Sequence, residues 1–141
     1  MTAKEYLSRY HLINIRINQK IDQQRQLREL ATNISPSSGG GHGSGVSDKV
    51  GTAVAKIATL EQEINAEIDE LIRVKAEIEC TVSAVSDERL RLILTARYIN
   101  CKTFEYIACE MHYSYKQICR LHGKALLRVQ DVLECPIASV I

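Results

Sequence analysis

Between Val50 and Val82 an apolar residue returns every three or four positions, and few folds accept such a run. The seam reads Val50, Val54, Ile57, Glu61, Ile64, Ile68, Leu71, Lys75, Ile78 and Val82. A repeat averaging 3.5 residues keeps one stripe of a long helix facing a partner helix, the pattern of a coiled coil. Glu61 and Lys75 interrupt the seam, while Leu60, Ile72 and Val74 widen the stripe beside them. Ser47 is suited to cap the start of this helix, because its hydroxyl can accept from an unpaired amide of the first turn. The spacing therefore predicts one helix from about Ser47 to Val82.

A partner lies upstream. Tyr6, Tyr10, Ile13, Ile17, Ile21, Gln24, Leu27, Ala31 and Ile34 recur at helical spacing, with Arg9, Arg16, Gln19, Gln23 and Arg25 on the opposite, solvated face. A basic amphipathic helix can also lie on a membrane surface, but a complementary helix downstream favours pairing within the chain. Between the two, Ser35 to Gly45 holds five of the seven glycines, and Pro36 ends the first helix. Such a segment is a flexible linker. It has neither the preceding strand nor the closing Lys-Ser or Lys-Thr of a phosphate-cradling loop. An eleven-residue linker at 35–45 lets the helices fold back antiparallel, giving a helical hairpin over residues 1–84. Charge agrees: residues 1–34 carry six basic and three acidic groups, and residues 46–84 carry four basic and eight acidic. Two helices leave one side of a narrow seam uncovered, so a homodimer through the coiled coil, or docking on a partner, is expected.

The remaining chain predicts a three-helix unit over residues 85–135, followed by a tail at 136–141. Ser86 is the expected cap of its first helix, with Asp87 and Glu88 in the first turn, where acids suit the helix dipole. Leu90, Ile93, Leu94 and Tyr98 form the apolar face, and Asn100-Cys101-Lys102 makes a turn. Thr103 caps a second helix whose buried face is Ile107, Ala108 and Met111. After a break at His112 and Tyr113, Ser114 and Gln117 have capping-box spacing and open a third helix. Its stripe is Ile118, Leu121, Ala125, Leu126 and Val129. Two helices joined so tightly cross steeply, as in a helix-turn-helix. The fold class is all-α: a long antiparallel coiled-coil hairpin followed by a three-helix helix-turn-helix unit.

In that motif the first turns of the second helix enter the DNA major groove. Here they offer Tyr115, Lys116, Cys119 and Arg120, which become the candidate base-contacting residues. Arg120 suits guanine through its planar fork, Lys116 does so less selectively, and Tyr115 suits a thymine methyl or a phosphate. Arg97, Lys102, Thr103, Lys124 and Arg128 are candidates for backbone phosphate, helped by free amides at the helix start. The competing interpretation is a solvated basic stripe on a structural helix. Between Arg97 and Arg128 six basic residues stand against Glu105 and Glu110, so the positive charge is concentrated although the whole chain is only +1.

The stretch YINCKTFEYIACEMHYSYKQICRLHGKAL, with its R-Y, I-A, Y-S and K-A-L landmarks, resembles the helix-turn-helix of region 4 in sigma-70-type factors. With AKEYLSRYHLINIRINQKI, LRELA, KIATLEQEINAEIDELIRVKAEI and ARYI included, the chain resembles a family of small phage and prophage proteins of Gram-positive bacteria. The resemblance implies a phage-encoded, double-stranded-DNA-binding regulator of transcription, with RNA polymerase as a further possible partner. Two positions depart from the region 4 pattern. His112 stands where Gly is usual, in an expected left-handed turn, and Gly123 lies inside the last helix at a cost of about 1 kcal/mol.

Other classes find little support in these residues. No Ser/His/Asp set, cleft-forming carboxylate pair or nucleotide loop appears, so no enzyme and no cofactor are expected. Cys109-x2-His112 with Cys119-x2-His122 has zinc-like spacing, yet such pairs arise readily on helices and no metal is assigned. Five cysteines with no CxxC and no signal peptide suggest reduced thiols in a bacterial cytoplasm. No run is apolar enough to span a bilayer. The alternative to a DNA-binding regulator is a coiled-coil interaction protein, binding RNA polymerase or another phage or host factor, whose helix-turn-helix is purely structural.

Overall fold

A computed structural model describes residues 1–33 and 43–135. Among them the protein is all-helical: α1 (Ala3–Asn33), α2 (Gly43–Ser83), α3 (Glu88–Leu94), a π-helical segment (Thr95–Ile99), α4 (Phe104–Met111) and α5 (Tyr115–Leu133). Ser35 to His42 of the expected linker and the expected tail at 136–141 lie outside the described residues. Gly43, Ser44 and Gly45 already belong to α2, so Ser47 is not its cap. A helix nucleated by a long aliphatic stripe extends outward one hydrogen bond per residue, past a residue that would have capped a shorter one.

Contacts divide the chain into two compact units, Ile13–Glu70 and Met1–Leu12 with Leu71–Ile141. In the first unit, Ile13, Ile17, Leu60 and Ile64 are buried. Arg16 bonds Glu67 at 3.0 Å, Lys20 approaches Glu63 at 3.6 Å, and the Gln24 amide donates to the Ile57 carbonyl at 3.1 Å. Rising positions on α1 thus meet falling positions on α2, and the two helical stretches run in opposite directions. Arg16, exposed as expected, lies at the flank of this contact. Such exposed pairs contribute about 0.2–1 kcal/mol each, so the aliphatic side chains carry the stability. Gln24 is buried, and its one amide bond fixes an axial position that interchangeable aliphatics leave free.

The inward stripe of α2 differs by a small rotation from the sequence expectation. Leu60 and Val74 are buried where Glu61 and Lys75 were placed, and Val54, Ile68 and Ile72 are exposed. Positions 57, 60, 64, 67, 71, 74 and 78 keep an unbroken 3-4 alternation. The cause is polarity: this phase buries two aliphatics and leaves the Glu61 carboxylate and Lys75 ammonium in water.

The second unit gathers Leu7, Val74, Ile78, Leu90, Ile93, Leu94, Tyr98, Ala125 and Val129 among its buried residues. Tyr6 shares a 2.8 Å hydrogen bond with Thr81, and Arg9 bonds Glu77 at 3.0 Å, again a flanking role for a residue expected on the solvated face. The Ala3 amide donates to the Gln130 side-chain oxygen at 3.0 Å. Asp87, rather than Ser86, caps α3, accepting from the Arg89 amide at 2.9 Å. Either residue has the chemistry; at Asp87 the carboxylate also meets the Arg89 guanidinium at 3.3 Å. Ile93, Ile107, Ala108 and Ile118 form the core between α3, α4 and α5, with Ala96, Phe104, Met111, Tyr113 and Leu121 packed around it.

Candidate nucleic-acid interface

Two turns set the directions of α4 and α5. The first follows the π-helical segment, where the Asn100 amide reaches the Thr95 carbonyl at 3.0 Å and the Lys102 amide reaches Ala96 at 2.9 Å. Cys101 sits between them with φ 56°. This widened turn was not visible in the aliphatic spacing, and π turns of this kind often accompany functional sites. Arg97 braces it: the guanidinium lies 4.5 Å over the Phe104 ring and donates to the Lys102 carbonyl at 3.1 Å. Thr103 then caps α4, its hydroxyl oxygen accepting from the Tyr106 amide at 3.1 Å.

The second turn joins α4 to α5. His112 is left-handed, at φ 59° and ψ 39°. The Tyr113 amide bonds the Ala108 carbonyl at 3.0 Å and the His112 amide bonds Cys109 at 3.4 Å, the pairing of a Schellman motif. Immediately after it, Ser114 and Gln117 form the capping box. The Gln117 amide donates to the Ser114 hydroxyl at 3.1 Å, and the Ser114 amide donates to the Gln117 side-chain oxygen at 2.9 Å. The start of α5 is therefore fixed at Tyr115, and its buried side by Ile118, Ala125 and Val129.

With that side buried, Lys116, Arg120 and Lys124 stand in an exposed row one turn apart. Among the described residues, no carboxylate forms an ion pair with any of the three. Arg128 extends the row but approaches Asp131 at 3.6 Å. Tyr115 and Cys119 lie to one side. Tyr115 is half-exposed and meets the edge of Phe104, with ring centroids 6.5 Å apart. The Tyr115 hydroxyl donates to the Cys119 sulfur, which raises the phenol above its usual range. Cys119 itself is half-buried. Lys102 is exposed, its ammonium 4.7 Å above the Tyr106 ring.

Arg89 was missed from the sequence. It shares a groove with Tyr113, Gln117, Arg120, Leu121 and Lys124, bringing a cation from α3 to the row on α5. The charge block counted from Arg97 onward left it out; its Asp87 neighbour makes it look neutralised. Gln117 has its oxygen committed to the cap, leaving the amide nitrogen as a donor at the same groove. Around Gly123 an added methyl would meet nothing within 4 Å, so close packing against the rest of the chain does not explain the glycine.

The four residues of zinc-like spacing have separate surroundings. His122 stacks with Tyr98 at 5.7 Å, accepts or donates a 2.7 Å bond with its hydroxyl, and contacts Phe104 at 4.8 Å. Cys109 and His112 are exposed. Among the described residues, no three His, Cys, Asp or Glu side chains gather closely enough to hold a metal ion. No helix among them is long and apolar enough to cross a membrane. Comparison with protein-family models, with curated proteins and with solved structures finds no match to this chain.

Proposed function

We propose that the protein is a phage-encoded, DNA-binding regulator of transcription acting in a bacterial cytoplasm. In this reading α4 and α5 are a sigma-region-4-like helix-turn-helix, and α5 enters the major groove. The observation that carries it is the row of Lys116, Arg120 and Lys124, exposed and without carboxylate partners among the described residues, on the first half of a helix whose start is pinned by a capping box. A structural helix more commonly intersperses acids with such bases, as α2 does with Arg73–Glu77 and Lys75–Glu79. Arg120 would read guanine, with Lys116, Tyr115 and Cys119 beside it. Lys102, Thr103, Lys124 and, less freely, Arg97 and Arg128 would hold phosphates.

The long helices would form an antiparallel coiled-coil hairpin that dimerises. Exposed Ile15, Ile21, Val54 and Ile68 in the unit Ile13–Glu70 support an apolar contact there. The same residues favour the second reading, a coiled-coil interaction protein that binds RNA polymerase or another phage or host factor. Selection from a randomised duplex library at two salt concentrations, beside a Lys116→Ala/Arg120→Ala variant, separates the two. Enrichment of one sequence, lost in the variant, is the expected result. Equal, salt-erased binding by both proteins, or no binding, would overturn the recognition-helix assignment.

A further inference from the structure

Away from the row on α5, a cavity of about 210 Å³ opens among Lys4, Ser8, His11, Arg97, Tyr98, Cys101, Phe104 and His122. All belong to the unit Met1–Leu12 with Leu71–Ile141. No carboxylate lines the cavity. Neither Lys4 nor Arg97 forms an ion pair among the described residues; Arg97 engages only a carbonyl and the Phe104 ring. The polar wall is otherwise self-bonded, Tyr98 hydroxyl to His122 Nε2 at 2.7 Å and Cys101 Sγ to His11 Nδ1 at 3.5 Å. Burial first, then the charges of Arg97 and Lys4, push His122 down to about 4. The imidazole therefore remains neutral, and the positive charge facing the cavity is uncompensated.

We propose that this cavity binds a phosphate-type oxyanion, with Lys4 and Arg97 supplying the charge and Ser8 and His11 offering hydrogen bonds. Charge-assisted bonds from an arginine fork and a lysine are the strongest contacts a protein makes to such an anion. The volume suits a phosphate with a few attached atoms and is too small for a drug-sized ligand. Phe104 forms part of the wall and also meets Tyr115 at the start of α5, so an occupant touches a ring that supports the candidate reading helix. The phosphate can come from a free small molecule or from a nucleic-acid backbone. The proposal stands without the DNA-binding reading.

The test is a titration of the full chain with inorganic phosphate against chloride at constant ionic strength, following the histidine resonances. Saturable shifts of His11 and His122 are expected, with the His122 midpoint rising from about 4 because the anion screens Arg97 and Lys4. Lys4→Gln should weaken binding by about tenfold. His11→Gln should weaken it less, reported by His122, and Lys116→Gln should leave it unchanged. No saturable shift at tens of millimolar phosphate, or equal affinity in Lys4→Gln and the parent, would overturn the proposal. Displacement of phosphate by a short duplex would identify a backbone phosphate as the occupant, and its absence a free one. Duplex binding unaffected by Lys116→Ala/Arg120→Ala would sink the recognition-helix reading and leave the phosphate titration standing.

Discussion

Replacing His112 with glycine is expected to stabilise the protein, and the size of the gain can be worked from the turn. At φ 59° and ψ 39° an L side chain costs about 1–2 kcal/mol, because Cβ crowds the following carbonyl. Glycine removes that strain but has more freedom to lose on folding, returning about 0.4–1 kcal/mol. The imidazole is exposed and makes no hydrogen bond or ion pair among the described residues, so nothing else is forfeited. The Tyr113–Ala108 and His112–Cys109 bonds are backbone and survive the change. The net gain is about 0.5–1 kcal/mol, or roughly 2–4 °C in melting temperature for a chain of this size. Urea denaturation at pH 7 measures it, with His112→Ala as the control, which keeps a Cβ in the same backbone and should not be stabilised. A glycine variant no more stable than the parent, at unchanged urea slope, would refute the strain argument.

Four further outcomes follow from the structure. Removing Lys124, placed on phosphate, should reduce the salt slope of duplex binding by about 0.9, while Arg128→Ala, whose guanidinium has Asp131 nearby, and the base-edge changes Lys116→Ala and Arg120→Ala should change it less; filter binding across a salt series measures all four. Ser114→Ala should cost about 0.5–2 kcal/mol in denaturant unfolding, since the hydroxyl that accepts from the Gln117 amide is lost while the Ser114 amide's bond to the Gln117 side chain stays. Leu60→Ala should cost about 2–5 kcal/mol and Glu61→Ala almost nothing; equal effects would return the seam to its other phase. His122 is depressed in the folded protein to about 4, against an ordinary value near 6.5, so the unfolded chain binds its proton first. Its contribution is fully present above about pH 6.5 and is lost as pH falls toward 4. The slope cannot exceed about 1.36 kcal/mol per pH unit and is smaller for a partly exposed ring. In His122→Gln that part of the pH dependence should vanish.

Local chemistry was the legible part of this chain. Thr103, Ser114 with Gln117, and the left-handed His112 act within four residues of themselves, so their spacing carries the geometry. The stripes of α3, α4 and α5 were readable for a similar reason, because Ile93, Ile107 and Ile118 face one shared core and Leu90 and Val129 are buried too. The phase of α2 was harder. Two overlapping stripes, one through Leu60 and Val74 and one through Ile68, satisfy the same period, and only the partner helix decides between them. The π turn at Thr95–Ile99 left no mark in the aliphatic spacing. Arg89, Lys4 and His11 were missed as candidate site residues because they share a groove with Arg120 or a cavity with Arg97 across the fold rather than along a helix. Arg9 looked solvated until Glu77 was opposite it, while Arg16 is exposed as expected and still pairs with Glu67.

The sharing of one unit between residues 1–12 and the chain beyond Leu71 bears on how the protein is made. During synthesis Ala3 and Leu7 emerge early, yet the unit that holds them also contains Gln130 and Val129, which emerge late. The intervening unit, Ile13–Glu70, draws its contacts from nearer sequence and is free to form while the ribosome is still extending the chain. The opening segment can meet Glu77 and Thr81 of α2 earlier, but its Ala3–Gln130 tie must wait until α5 has left the exit tunnel. Closing so long a loop is slow compared with winding a helix. A nascent chain paused before Gln130 would therefore leave the Ala3 amide untied, and a fragment begun after that segment would build α3 to α5 without the Ala3–Gln130 tie.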